Sequence, residues 1–321
     1  MARLELRPFT ADELDDAAAL LVRRHASHRA AEPSLPALYE REHVARTEIE
    51  ELLASRASGA LAARDGTAVG FMLGRHRPDT TWGANVWVEP AGHAVEEPEA
   101  VRDLYALAAA RWVEEGRNAH YAVVPTHEPA LVDAWFRVGF GLQHVHAVRE
   151  APADPMTIAP PGVVIRKPRR DDIDALAELD LSLPAHQALS PVFSTAALPS
   201  LWEARTEWDE DFDNPAFATF VGEVNGRVVG SAVGCSVELS SLHTGIARPD
   251  DAAHLGFAAV LPEARGSGVG TTLGATVLDW AAAEGYAAVT TDWRETNLLS
   301  SRSWPKLGFR PTFFRLFRGI V

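Results

Sequence analysis

The 321-residue sequence holds a single cysteine, Cys235, so no internal disulfide framework supports it. A reducing, cytoplasmic setting is the simplest expectation. Cys235 sits in the apolar run from Val228 to Val237, and no histidine or cation close to it in sequence lowers its thiol pKa. It reads as an inert strand residue rather than a nucleophile. No stretch approaches about 18 uncharged apolar residues, and Arg3, Glu5 and Arg7 interrupt any signal-peptide core, so neither a membrane span nor a leader is expected. Basic residues are in short supply: 30 Lys and Arg stand against 44 Asp and Glu, a net charge of −14. That balance opposes nonspecific binding to nucleic acid or to an anionic membrane surface. Two nucleotide loops are missing as well. No lysine lies between Glu263 and Thr272 to make a Walker loop, and Gly266, Gly268 and Gly270 are evenly spaced where a dinucleotide fingerprint needs G-x-G-x-x-G.

What is present is a globular composition, 47% hydrophobic and 23% charged. The length exceeds what one core comfortably organises and suits two domains. The stretch from Val260 to Phe309 is the most informative. Leu255, Phe257 and Val260 form an apolar run, the loop Leu261 to Gly270 follows, and Val269, Leu273, Val277 and Trp280 then share one helical face. Strand, glycine-rich turn and helix in that order make an anion cradle, because a helix start aims unpaired N–H groups at a ligand.

The chain also repeats itself. Leu4 to Phe9 alternates like a short strand before a helical pattern that Thr10 is expected to cap, and Val163 to Pro168 precedes a second helix through Leu176 and Leu179. Asp65-Gly66 and Asn225-Gly226 each mark a hairpin turn, and the two turns are offset by 160 residues (226 against 66). The hairpin-closing Gly70 and Gly230 share that offset of 160, and Trp135-Phe-Arg-Val-Gly-Phe matches Trp304-Pro-Lys-Leu-Gly-Phe at an offset of 169 (304 against 135). Equal order at nearly equal spacing argues for duplication. The proline-rich segment 151–162 reads as a linker between a domain 1–150 and a domain 163–321.

The pattern R-x-x-G-x-G from Arg265 to Gly270, with Asn297 and the closing Leu307-Gly308-Phe309, resembles the GCN5-related N-acetyltransferase (GNAT) superfamily. The resemblance covers essentially the whole chain. It implies an α/β protein of two tandem acyl-CoA N-acyltransferase-like domains, each a mixed sheet flanked by helices. In the first, Gly92 and His93 stand roughly where Ala264 and Arg265 stand in the second, no G-x-G follows, and Glu96, Glu97 and Glu99 would repel a pyrophosphate. The first domain is thus expected to be degenerate. The implied activity is direct transfer of an acetyl group from acetyl-CoA to the amine of a small molecule, with no covalent enzyme intermediate. The alternative is an accessory or sensor protein that binds acyl-CoA without turnover.

Carried over residue by residue, the resemblance assigns the pantetheine arm to the backbone of Ala258, Ala259 and Val260, within a central strand running from His254. It assigns the pyrophosphate to Arg265, Gly266, Ser267, Gly268, Val269, Gly270 and Thr271, with Asn297 also at the cofactor. His254 stands where the family often carries a glutamate base, and imidazole titrates in a suitable range. Asp292 and Glu295, after the apolar run Ala287 to Thr291, are further candidates, with a chain-turning role as the alternative for Asp292. The family's acidic tyrosine is replaced by Trp304, whose indole N–H is too weak an acid to protonate a thiolate. Ser300, Ser301, Ser303 or a water is left for that role, or the thiolate leaves unassisted.

No metal is expected: His144 and His146 lack a third ligand at characteristic spacing, so a solvated pair is the expectation there, with the same reading for His25 and His28. The acidic run from Asp209 reads as a solvated turn able to attract an amine at a cleft mouth. Trp202, Trp208 and Phe212 read first as core packing, with pocket walls as the alternative, and a cleft between the halves is the expected acceptor site. Neither the acceptor nor the oligomeric state is legible.

Overall fold

A computed structural model describes residues 3–194 and 198–321. Contacts divide the chain into two compact units, one holding residues up to 146 with 245–248 and 311–321, the other holding 147–244 and 249–310. The division does not follow one cut in the chain, because the last strand belongs to the first unit.

The first unit runs through β1 (Glu5–Pro8), α1 (Leu14–Ala31), α2 (Glu42–Ala54), β2 (Ser58–Arg64), β3 (Thr67–Gly74), β4 (Asn85–Val88), β5 (His93–Val95), α3 (Ala100–Glu114), β6 (Ala119–Pro125) and α4 (Pro129–Arg137). β7 (Gly141–Glu150) then crosses the unit boundary at residue 146. The second unit follows with β8 (Val163–Arg166), α5 (Ile173–Gln187), α6 (Leu201–Asp211), β9 (Phe217–Val224), β10 (Arg227–Ser236), β11 (Ala252–Val260), α7 (Val269–Ala283), β12 (Ala288–Arg294) and α8 (Ser300–Ser303). The chain ends on β13 (Arg310–Gly319).

Both units are mixed α/β, as expected. In the first, β1-β2-β3-β5 form an antiparallel sheet, β4 pairs parallel with β6, and β6 pairs antiparallel with β13. In the second, β8-β9-β10-β11 are antiparallel neighbours and β12 joins β11 in parallel. The two expected hairpin turns form at Asp65-Gly66 and Asn225-Gly226, where positive φ at both residues gives the tight turn that matches strand twist. Thr10 sits at its expected position but makes no side-chain cap; a 3-10 turn, Ala11–Glu13, leads into α1 instead.

α7 supplies the core of the second unit. Val269, Leu273 and Val277 are fully buried on the face read from the sequence, each contributing about 1.5–3 kcal/mol of burial. The helix sits close over the hairpin because Gly230 and Gly234 offer no side chain there: a Cβ would meet Val269 at 3.0 Å and Trp280 at 2.6 Å. The segment 151–162 lies along the same helix. The N–H groups of Met156 and Thr157 donate to the Asp279 carboxylate at 2.7 and 2.9 Å, and the Thr157 hydroxyl donates to Thr276 at 3.2 Å.

The histidine pairs are not solvated. His25, His28, His144 and His146 are all buried, because apolar neighbours on the same faces carry them inward. α1 turns Arg24 and His28 into the first unit, where His28 stacks on His127 at 4.6 Å and the Arg24 guanidinium donates to the carbonyls of His93 and Pro90. Burial, with the charge of Arg24 adding to it, pushes His28 down to about 2, His93 to about 3 and His127 to about 4. Among the described residues, no helix is long and apolar enough to cross a membrane.

These histidines fold neutral. Their contribution is complete above pH ~6.5, where unfolded histidine is neutral too, and is lost as pH falls toward the depressed folded values, since only the unfolded chain takes up protons. Each adds a slope of up to about 1.4 kcal/mol per pH unit. Denaturant unfolding should therefore show stability declining from pH 6.5 to 5, with a shallower decline in His28→Gln. A flat profile in the wild type over that window contradicts the burial argument.

Candidate active site

The centre of the second unit is a fork. β11 pairs with β12 only from Ala252 to Leu255, opposite Ala288 to Thr291, although β11 runs on to Val260 and β12 to Arg294. A bulge at Gly256 marks the parting: Val233 faces Phe257 while the next residue, Gly234, faces Leu255. Ala258, Ala259 and Val260 therefore keep β10 as a partner on one side and have left β12 on the other. Backbone groups on that open side can bond a ligand.

The loop after β11 ends on an uncapped helix start. Gly268 is the N-cap of α7 with no side-chain cap, and the first helical bond runs from Thr272 N–H to Gly268 O. The N–H groups of Val269, Gly270 and Thr271 precede that bond, so they lack an acceptor inside the helix. Arg265 is exposed beside them, and the Ser267 hydroxyl donates to Ala264 O at 2.6 Å. Gly268 has φ +90°, and a Cβ there would meet Pro160 at 2.7 Å. Its glycine is required by backbone conformation and by the packed segment 151–162. Asn297 is buried, with its side-chain oxygen accepting from Leu299 N–H and its carbonyl from Ser300 and Ser301, so it starts α8.

His254 lies at the base of the fork, on the third residue of β11, and Asp292 lies in β12 rather than at a turn. His254 Nε2 is 3.7 Å from Asp292 Oδ1. On the other side of the ring, Nδ1 is 3.0 Å from Thr290 Oγ1, and the Thr290 hydroxyl donates to Ala253 O at 3.1 Å. With its proton committed there, Thr290 accepts from Nδ1–H, which leaves the Nε2 lone pair facing Asp292 and the cavity. Burial lowers the His254 pKa from 6.5, and the charge of Asp292 raises it part of the way back. Such an imidazole is a neutral base near pH 7 with a carboxylate placed to stabilise its protonated form.

Sequence reading missed His243. It is buried on the loop after β10, its Nδ1 3.1 Å from Ser240 Oγ and its ring 5.2 Å from that of His254. The donor atoms of His243, His254 and Asp292 converge within 4.8 Å of one another. No spacing rule links a loop histidine to a strand histidine eleven positions on, so only the fold brings them together.

A cavity of about 670 Å³ opens beside this group, lined by residues of the second unit alone rather than by both halves. Trp208 and Phe212 line it, whereas Trp202 is 72% exposed. The acidic run spans the end of α6 and the turn after it, its acids are exposed, and Asp211 lies on the wall. Cys235 also lines the cavity, its thiol pKa raised by burial, so it remains a poor nucleophile. Ser303 on α8 is not among the lining residues. Trp304 packs against α7, where a Cβ at Gly274 would lie 3.1 Å from its ring.

Residues 184–309 match the family model described as the acetyltransferase (GNAT) family. This segment is similar to an acetyltransferase (GNAT) domain. The full chain is similar in fold to a GCN5-related N-acetyltransferase from Sphaerobacter thermophilus, at 13% identity and a TM-score of 0.55, with 99% of this chain and 97% of that one covered. It is also similar to a solved structure described as a GCN5-related glucosamine N-acetyltransferase region in a fungal multi-domain GH3 beta-N-acetylglucosaminidase. There the identity is 15% and the TM-score 0.51, with 99% of this chain and 38% of that one covered. A tandem GNAT protein from the clavulanic acid biosynthesis pathway aligns at 16% identity and a TM-score of 0.46 over 98% of this chain and 97% of that one. No curated protein matches the sequence. At such identities the similarity speaks for the fold.

The electrostatics at His254 are testable without substrate. In Asp292→Asn the raising influence of the carboxylate is gone, so the His254 pKa should fall further below that of the wild type. Histidine ring titration by NMR checks this, and an unchanged or raised value contradicts the pairing.

Proposed function

We propose that the protein is an N-acetyltransferase that moves an acetyl group from acetyl-CoA to the amine of a small molecule, and that the second unit holds the whole site. The observation that carries this reading is the fork: β11 leaves β12 after Leu255 beside an uncapped α7, with a buried histidine base at the point of parting.

The residues present fit the co-substrate. The N–H groups of Val269, Gly270 and Thr271, with Gly266, Ser267 and Gly268 in the loop and the Arg265 guanidinium at its edge, would take the pyrophosphate. The open backbone of Ala258, Ala259 and Val260 would take the pantetheine arm. Bound acetyl-CoA supplies an acetyl thioester, whose C–S bond breaks as the C–N bond to the amine forms. His254 Nε2 accepts the proton that the amine loses, and Asp292 stabilises the imidazolium. His243 packs beside them and excludes water. Asn297 acts by holding α8 rather than by touching the ligand. Ser303 stands outside the cavity and Trp304 is engaged in packing, so we assign no protein acid to the departing thiolate; CoA thiolate leaves with a proton from solvent.

The first unit serves as scaffold in this reading. The start of α3 is surrounded by carboxylates already paired with the protein's own arginines, Glu96 with Arg23, Glu97 with Arg64 and Glu99 with Arg102. A pyrophosphate has no place there. Cytoplasmic residence belongs to the same reading.

Acetyl-CoA at millimolar concentration should raise the unfolding temperature, and Arg265→Glu should weaken its binding by about tenfold through the reversed charge. CoA release on incubation with amines should fall by about 10²-fold or more in His254→Gln while acetyl-CoA binding is retained. A chelator should leave the rate unchanged, since His254 acts as a base. No stabilisation by acetyl-CoA would overturn the reading; stabilisation without CoA release from any amine would favour the sensor alternative.

A further inference from the structure

The acceptor cavity has two chemically distinct walls. One is the sheet wall, with His254 and Asp292 on β11 and β12. The other is helical, with Asp180 on α5 and Glu207, Trp208 and Asp211 on α6. Neither wall contributes a lysine or an arginine to the lining. Each wall also carries aromatic surface, Phe212 at the end of α6 and Phe257 on β11.

Asp180 is the most constrained of these acids. Trp208 Nε1 donates to its Oδ2 at 2.6 Å, which fixes the carboxylate plane and leaves Oδ1 for another donor. Burial, the largest influence on it, pushes its pKa up to about 6. A carboxylate held half-desolvated gains more from a cation than one in water does, because its hydration has already been given up. The reacting nitrogen, however, must lie at the sheet wall, where the base is and where β11 parts from β12, and it must be neutral when it attacks. The helical-wall carboxylates therefore act on some other part of the acceptor.

Resting on the transferase reading above, we propose that the acceptor carries a second cationic group, and that Asp180, oriented by Trp208 and flanked by Glu207 and Asp211, binds it while the first amine reacts at His254. The substrate class is a diamine or amino-guanidine with an apolar spacer and no carboxylate. The spacer packs against Phe212 and Phe257, one on each wall, and the charge that remains on the second nitrogen sets the orientation. An amino acid is disfavoured, since its carboxylate would enter a cavity whose lining offers four acids and no Lys or Arg.

The test uses the full-length protein and compares binding of 1,5-diaminopentane, 1-aminopentane and glutamate by calorimetry. The diamine should bind at least about tenfold more tightly than the monoamine, and glutamate should not bind. Asp180→Asn should remove most of that preference; Glu207→Gln, on an exposed face, provides a second variant should the first fold poorly. Equal affinity for diamine and monoamine, or a preference untouched by both variants, overturns the proposal. If the diamine binds with the expected preference but no CoA is released from acetyl-CoA in its presence, the transferase reading fails and the two-cation recognition stands.

Discussion

The second unit depends on a strand pair that is allowed to come apart. Pairing between β11 and β12 is worth keeping in any sheet, because an unpaired buried N–H or C=O costs about 1–3 kcal/mol. Here it ends at Leu255 with both strands still running. Every other feature of the site is arranged around that sacrifice: the bulge at Gly256, the histidine and aspartate at the base of the fork, and the helix start facing its open end.

The two units answer the same problem differently. In the first, the acids before α3 are paired with arginines of that unit, and Arg24 reaches from α1 to the carbonyls of His93 and Pro90. The polar groups there satisfy one another. Neither α3 nor α7 has a side-chain cap, but α3 carries Asp103 in its first turn and the N–H groups of Ala100, Val101 and Arg102 donate to the carbonyls of Glu97, Pro98 and Glu99, whereas α7 has no acid in its first turn. The physical contrast between a self-satisfied helix start and an unsatisfied one carries more weight than the glycine count of either loop.

Much of this was legible in the chain. Asp65-Gly66 and Asn225-Gly226 fix their hairpins because two consecutive positive φ values admit few residues, and the α7 face followed from a 3.6-residue period. His254 and Asp292 could be placed on strands but not brought to 3.7 Å, since that distance depends on the register of β11 against β12. His243 was invisible for the same reason. The histidine pairs were misread because alternation reports which face a residue shares, not whether that face meets water; apolar neighbours drew His144 and His146 inside. The packing of Pro160 against Gly268 was not legible either, because it joins positions more than a hundred residues apart.

The central claim is that the fork and the α7 start together bind acyl-CoA, and backbone hydrogen–deuterium exchange with and without acetyl-CoA tests it most directly. Protection should appear at Gly256 to Val260 and at Gly266 to Thr271, and should be absent at the start of α3. Protection confined to the first unit, or none at either segment of the second with acetyl-CoA at saturating concentration, would contradict it.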